Sequence, residues 1–278
     1  MSPTDRPTKA SRREEARQAA LALRAQQEHV AKRNRLIAIL ASAAVLIGFA
    51  VLVVVILNQG GEDDVPQGQQ VQPPFAADGG GGIVMDADGI VTPPADADEN
   101  WPVGAFGDAV VVTVYSDPIC PWCAVFEQAA MPILDDMRLA GEVVVDHRVV
   151  GNLDSQSTSR YSTRAAQALY TVADLAPESY LDFETALFAS QPAEGTAGLS
   201  DDEIASIATQ VGVPEEAVAA IAEGRYTWWV GEVTDAARDL YRGRLATPSV
   251  RLNGEPLADT VDWRDETQLR DAIDGARG

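Results

Sequence analysis

The longest apolar run in the chain, Leu36 to Leu57 (LIAILASAAVLIGFAVLVVVIL), holds 22 residues without a charge. At about 1.5 Å of rise per residue a helix of that length reaches roughly 33 Å, enough to cross a hydrocarbon core. Beyond Gly82 the pattern turns mixed. Asp108–Asp117 (DAVVVTVYSD) is a β-rich apolar run that predicts a buried strand. Pro121 to about Leu139 predicts a helix, with proline in the first turn, and Val143–Val150 predicts a second strand. These make a β-α-β unit. Helices are then predicted over Arg164–Leu175, Ser179–Ala189, Ile204–Val211 behind a Ser200–Glu203 capping box, a segment opened by Pro214, and Tyr226–Tyr241. Pro248–Leu257 reads as strand, Asn253-Gly254 turn and strand, and Asp265–Ile273 as a last helix. The order is β-α-β, a helical insertion at about 160–243, then β-β-α.

The flanks of the apolar run orient it. Residues 1–35 hold nine Lys/Arg against four Asp/Glu, a charge of +5, and Lys32, Arg33 and Arg35 abut the run. Glu62, Asp63 and Asp64 stand on its far side. A secretory signal is the rival reading, but its apolar region is usually only ~7–15 residues and ends at a small-residue cleavage site, which does not follow Leu57. The expectation is a basic cytoplasmic segment (1–35), a single transmembrane helix (36–57) in contact with the lipid bilayer, and a chain that continues outside the membrane. Gly, Gln, Pro and Asp dominate 58–82, which reads as a flexible linker. The remaining domain, 83–278, follows it. Asp86–Gly89 (DADG) and Asp96–Glu99 (DADE) read as acidic loops, because neither completes a calcium-binding loop. Of the formal net charge of −21, residues 36–278 carry −26 (12 basic, 38 acidic). So acidic a body argues against nucleic-acid binding.

Both cysteines of the chain sit in SDPICPWC, Ser116–Cys123, at the predicted strand-to-helix turn. A disulfide between residues three apart closes a minimal loop and removes little entropy from the unfolded chain. As metal ligands, two cysteines supply half a tetrahedral shell, with no second C-x-x-C to complete it. Redox chemistry fits best. At a helix N-terminus the backbone N–H groups and macrodipole favour a thiolate on Cys120, and Cys123, one turn later, is placed to resolve a mixed disulfide. No metal and no cofactor beyond a Cys120–Cys123 disulfide is expected. His147, inside a strand, reads as a satisfied structural histidine, and Trp228-Trp229 as core.

CPWC after a strand, the helical insertion and a late Thr247-Pro248 resemble the DsbA family of thioredoxin-fold proteins. LFASQPAEGTAGLS (Leu187–Ser200) and ATPSVRLNG (Ala246–Gly254) are similar to its membrane-anchored actinobacterial members. The resemblance implies an α/β thioredoxin fold with a helical insertion behind the transmembrane helix. It implies Cys120 and Cys123 as the catalytic pair, supported by Pro121, Trp122, Glu127, Thr247 and a cis Pro248 facing the thiols. Glu127 matches an acidic position able to tune thiol pKa; read from spacing alone, it lies on a solvated helix face. The family prototype has an acid where this chain has Val114, and histidine where it has Trp122; an indole carries no charge to stabilise a thiolate as an imidazolium does.

The expected function is an extracytoplasmic thiol:disulfide oxidoreductase that introduces disulfides into reduced exported proteins, with a quinone-linked membrane reoxidase as the implied partner. A reductase or isomerase, and a non-catalytic peptide-binding module, are the alternatives.

Overall fold

The structure, a computed structural model, describes residues 81–94, 96–97 and 101–277, together with Pro73. The predicted cytoplasmic segment, the transmembrane helix and nearly all of the linker lie outside these residues. Among the described residues no helix is long and apolar enough to cross a membrane.

The described strands are β1 (Ile83–Asp86), β2 (Gly89–Ile90), β3 (Val110–Ser116), β4 (Val143–Val149), β5 (Ser249–Leu252) and β6 (Glu255–Pro256), in one sheet of order β2-β1-β4-β3-β5-β6. The helices are α1 (Pro121–Ala129), α2 (Met131–Leu139), α3 (Tyr161–Leu175), α4 (Tyr180–Ala189), α5 (Asp201–Gln210), α6 (Glu215–Ala222), α7 (Thr227–Leu240) and α8 (Glu266–Gly275).

Only the β3–β4 pair is parallel, with Val112 opposite Val145 and Val114 opposite His147. Every residue of β3 is buried, as a central strand covered on both faces requires. Side chains alternate across the sheet, so the two faces carry different residues. Val110, Val112 and Val114 join Val143 and Val145 in the main core beneath the helices. Val111 and Val144 pack with Val84 and Trp101 on the opposite face. By the same alternation Ser116 and His147 lie on the helix-covered face. Parallel strands need a crossover connection, and α1–α2 supplies it.

The single helix expected over 121–139 is two helices. Pro132 has no N–H to donate to Gln128, and its ring crowds that carbonyl, so the helix breaks at Ala130 and restarts at Met131. The hairpin β1–β2 is a second departure. The Asp86–Gly89 stretch, expected as an acidic loop, is its turn: Asp86 Oδ1 accepts the Asp88 N–H, and Gly89 takes φ 124°. Strands this short leave no periodic pattern to read.

The insertion forms around α3, which is buried along most of its length and packs against α4, α6 and α7. The Ser200–Glu203 capping box opens α5, with both reciprocal hydrogen bonds present. Trp229 is buried and Trp228 packs against the core, as expected of aromatics on an insertion helix.

The loop between α4 and α5 lies against α3. Gly198 has φ +74°, and a Cβ there would meet Tyr161 Cβ at 2.5 Å and its ring Cγ at 2.6 Å. Gly195 has a similar φ of +81° with open space around it. Gly195→Ala should therefore cost roughly 1–2 kcal/mol of backbone strain, and Gly198→Ala roughly 1–3 kcal/mol more for overpacking. Thermal unfolding of the two variants checks this; equal losses would contradict the close approach.

Candidate active site

The site forms where β3 ends. The chain leaves Ser116, turns through Asp117–Ile119 with the Cys120 N–H bonded to the Asp117 carbonyl (3.0 Å), and enters α1 with Cys120 as its N-cap and Pro121 at the first helical position. Proline fits there because that N–H has no helical partner. No side chain caps the helix, so its first N–H groups stay available to whatever stands at Cys120.

The two cysteines are free thiols and unlike each other. The Cys120 pKa is lowered to about 6. The Cys123 thiol, which donates to it, is the main cause; burial opposes, and the Thr247 side chain and the Cys123 and Trp122 N–H groups add to the lowering. As a thiol, Cys120 donates to the Thr247 carbonyl at 3.1 Å. Cys123 is fully buried, and its pKa is pushed well up by that burial, then by its hydrogen bond to Cys120 and by the charge there. Such a pair is poised for one thiolate, at Cys120, with the proton held on Cys123.

The Thr247–Pro248 bond is cis, as the family resemblance implies, and it sets the Thr247 carbonyl against the Cys120 sulfur. Trp122 is 56% exposed and borders a cavity of about 470 Å³ with Thr247, Pro248, Asp259, Trp263 and Arg264. The Arg264 guanidinium lies 6.0 Å from the Trp122 ring centroid and 5.8 Å from that of Trp263. Asp262 holds it in place through two hydrogen bonds of 2.8 and 2.9 Å.

Three contributors were not identified from the sequence. Asp117 is completely buried, and its carboxylate accepts the N–H groups of Ile119 (3.1 Å) and Leu153 (2.7 Å) and the Ser162 hydroxyl (2.6 Å). Burial nonetheless raises its pKa to about 7, and its own N–H points at Cys123 Sγ at 3.4 Å. Gln191, from the α4–α5 loop, donates to the carbonyls of Pro118 and Cys120, each at 2.9 Å. The Trp263-Arg264 pair arrives from the segment before α8. Only Asp117 carried a signal, as a carboxylate within the cysteine motif. The others come from segments more than 70 residues away, with no pattern of their own.

Glu127 does not lie on a solvated face. One turn beyond Cys123 on α1, its Oε1 is shielded from solvent and has no hydrogen-bond partner. Burial, then the facing Glu184 carboxylate, raises its pKa well above the ordinary range. His147 is buried with both ring nitrogens engaged: Nε2 with Ser116 Oγ, and Nδ1 with the Tyr180 hydroxyl (2.8 Å) and Glu184 Oε1. Val114, at the position where the family prototype carries an acid, packs in the main core.

A thioredoxin family model matches residues 100–274. The described fold is similar to DsbA of Mycobacterium tuberculosis, with 29% identity, a TM-score of 0.55, and 70% of this chain and 92% of that one covered. It is also similar to the disulfide bond oxidoreductase DsbG of the same organism, at 29% identity and a TM-score of 0.56, covering 73% and 90%. Part of the chain is similar to the serine/threonine-protein kinase PknE of M. tuberculosis, 35% identical over 127 residues; these are 44% of this chain and 22% of the kinase, so the match spans about a fifth of that relative. With a free C-x-x-C at a helix N-terminus, a cis proline against it and a helical insertion over the sheet, the chain belongs to the thioredoxin family and is a DsbA-like member of it.

Proposed function

We propose that the chain is a thiol:disulfide oxidoreductase that oxidises reduced exported proteins through Cys120 and Cys123. The observation that carries this reading is the asymmetry of the pair: Cys120 lowered to about 6, Cys123 held protonated by burial. A substrate thiolate attacks Cys120 Sγ of the enzyme disulfide. The Cys120–Cys123 bond breaks, a mixed disulfide forms at Cys120, and the electron pair and a proton go to Cys123. A second substrate thiolate attacks the substrate sulfur of the mixed disulfide and expels Cys120, a good leaving group because of its low pKa. Two substrate thiols become one disulfide, and the enzyme disulfide becomes a dithiol.

Stabilising the Cys120 thiolate stabilises the reduced enzyme, and a stabilised reduced form is a stronger oxidant. The direction of that shift is the one an oxidase needs, and the reduction potential decides its size. Thr247 contacts the reactive sulfur, and with Trp122, Pro248 and Arg264 it lines the cavity that receives the substrate segment, while Pro121 and Glu127 stay with the helix. The remaining parts of the proposal rest on the sequence. Residues 36–57 anchor the protein in the cell membrane with residues 1–35 cytoplasmic, the domain works outside, and a quinone-linked membrane partner restores the disulfide.

The reduction potential of the purified full chain is the deciding measurement: it should lie well above the ~−270 mV of thioredoxin, and a value at or below that would overturn the oxidase reading. In the same assay Cys120→Ser should abolish oxidation of a reduced test protein, whereas unchanged activity would favour a peptide-binding module. A pH titration of thiolate absorbance should show one group with a midpoint near 6 that disappears in Cys120→Ser. Because the folded value lies below the ordinary 9.0, this group's contribution to the stability of the reduced form is full above pH 9.0 and lost as pH falls through about 6. Denaturant unfolding of the reduced protein across that window checks the sign. Trp122→His should lower the midpoint further and raise the potential, since an imidazolium adds charge beside the thiolate. An unchanged midpoint would show that position 122 does not tune the site.

A further inference from the structure

Behind the cysteines, on the helix-covered face of the sheet, three metal-binding side chains converge from three elements: Glu127 of α1, His147 of β4 and Glu184 of α4. One donor atom from each lies within 4.8 Å of the other two. His147 is fully buried and Glu184 nearly so. Glu127 Oε1 is shielded and has no partner, and burial and Glu184 are what act on its carboxyl, with no cation among them. The Glu184–His147 contact alone would make a satisfied buried pair. A second carboxylate facing it adds a desolvation cost and, when ionised, a like-charge repulsion, and among the described residues no cation pairs with it.

We propose that Glu127, His147 and Glu184 bind one divalent cation of the zinc class. An imidazole nitrogen with two carboxylate oxygens is a borderline donor set, suited to zinc and leaving a fourth position for water or the Tyr180 hydroxyl. Zinc held tetrahedrally at about 2.0–2.2 Å places its donors about 3.3–3.6 Å apart. On binding, the His147–Glu184 contact has to open slightly and Glu127 to close in. The supporting shell is present: with Nδ1 on the cation, His147 Nε2–H donates to Ser116 Oγ, the arrangement that fixes tautomer and ring orientation in metal sites. An entry path exists as well. Glu127 and Glu184 line a cavity of about 500 Å³ between α1, α2 and α4; of the two aspartates in its walls, Asp135 is paired with Arg138, and Asp182 adds acidic character to the approach. The cation ties α1, one turn beyond Cys123, to the insertion and to β4.

The test is calorimetric titration of ZnCl2 into the metal-stripped full chain with both cysteines closed in a disulfide or alkylated, which removes the thiols as ligands. One equivalent of Zn²⁺ should bind and raise the melting temperature. Glu127→Gln should weaken binding at least about tenfold, and Asp271→Asn, exposed on α8 and outside the site, should retain it. Glu127 is the first variant because its Oε1 has no hydrogen bond to lose, so folding is spared; Glu184→Gln is the second. Absence of saturable binding up to about 1 mM Zn²⁺ overturns the site and leaves Glu127 as a protonated acid. Binding of equal strength in Glu127→Gln also overturns it. Either result is independent of the redox reading, because the thiols are blocked throughout.

Discussion

One buried carboxylate holds the region of the cysteines together. Asp117 takes hydrogen bonds from Ile119 in the turn before α1, from Leu153 after β4 and from Ser162 in the first turn of α3. The local turn and two segments 36 and 45 residues further along converge on it at the ends of the parallel strands, where the backbone leaves the sheet. A fully buried carboxylate is costly unless such partners are in place, and even with them its pKa is raised to about 7. It therefore defines the local geometry strongly: the turn, the insertion and the thiols fit one arrangement or leave the group unpaired.

From that arrangement follows the division of labour between two chemically identical side chains. Cys120 stands at the open end of α1, among N–H donors and beside Thr247; Cys123 is sealed in the core one turn later. Each reinforces the other, since the proton that burial keeps on Cys123 is the one that stabilises the Cys120 thiolate. The uncharged Trp122 ring has a cation beside it, already paired with Asp262. Arg264 lies over the indole, held by Asp262, so a cation borders the cavity without lying between the cysteines.

Much of this was legible locally. The buried strand 110–116, the capped helix at Ser200, the Asn253-Gly254 turn and the C-x-x-C at a strand-to-helix turn each depend on neighbours within a few residues. The elements misread, a helix broken at Pro132 and a hairpin of very short strands, differ from their patterns for equally local reasons that periodicity averages over. Glu127 is different. Its spacing on α1 fits a solvated face, and only the packing of α4 against α1 turns that face inward and sets Glu184 against it.

The sequence by itself determined the reagent and its place: two cysteines at the entrance of a helix, a proline to open it, and a β-α-β frame interrupted by helices. Those properties follow from short-range sterics and hydrogen bonding. The tertiary structure alone decided that Cys123 is sealed and that Thr247 reaches the Cys120 sulfur, that Gln191 and Arg264 come to the site, and that Glu127, His147 and Glu184 meet. Burial and long-range electrostatics belong to no single segment, and they exist only once the insertion has closed over the sheet.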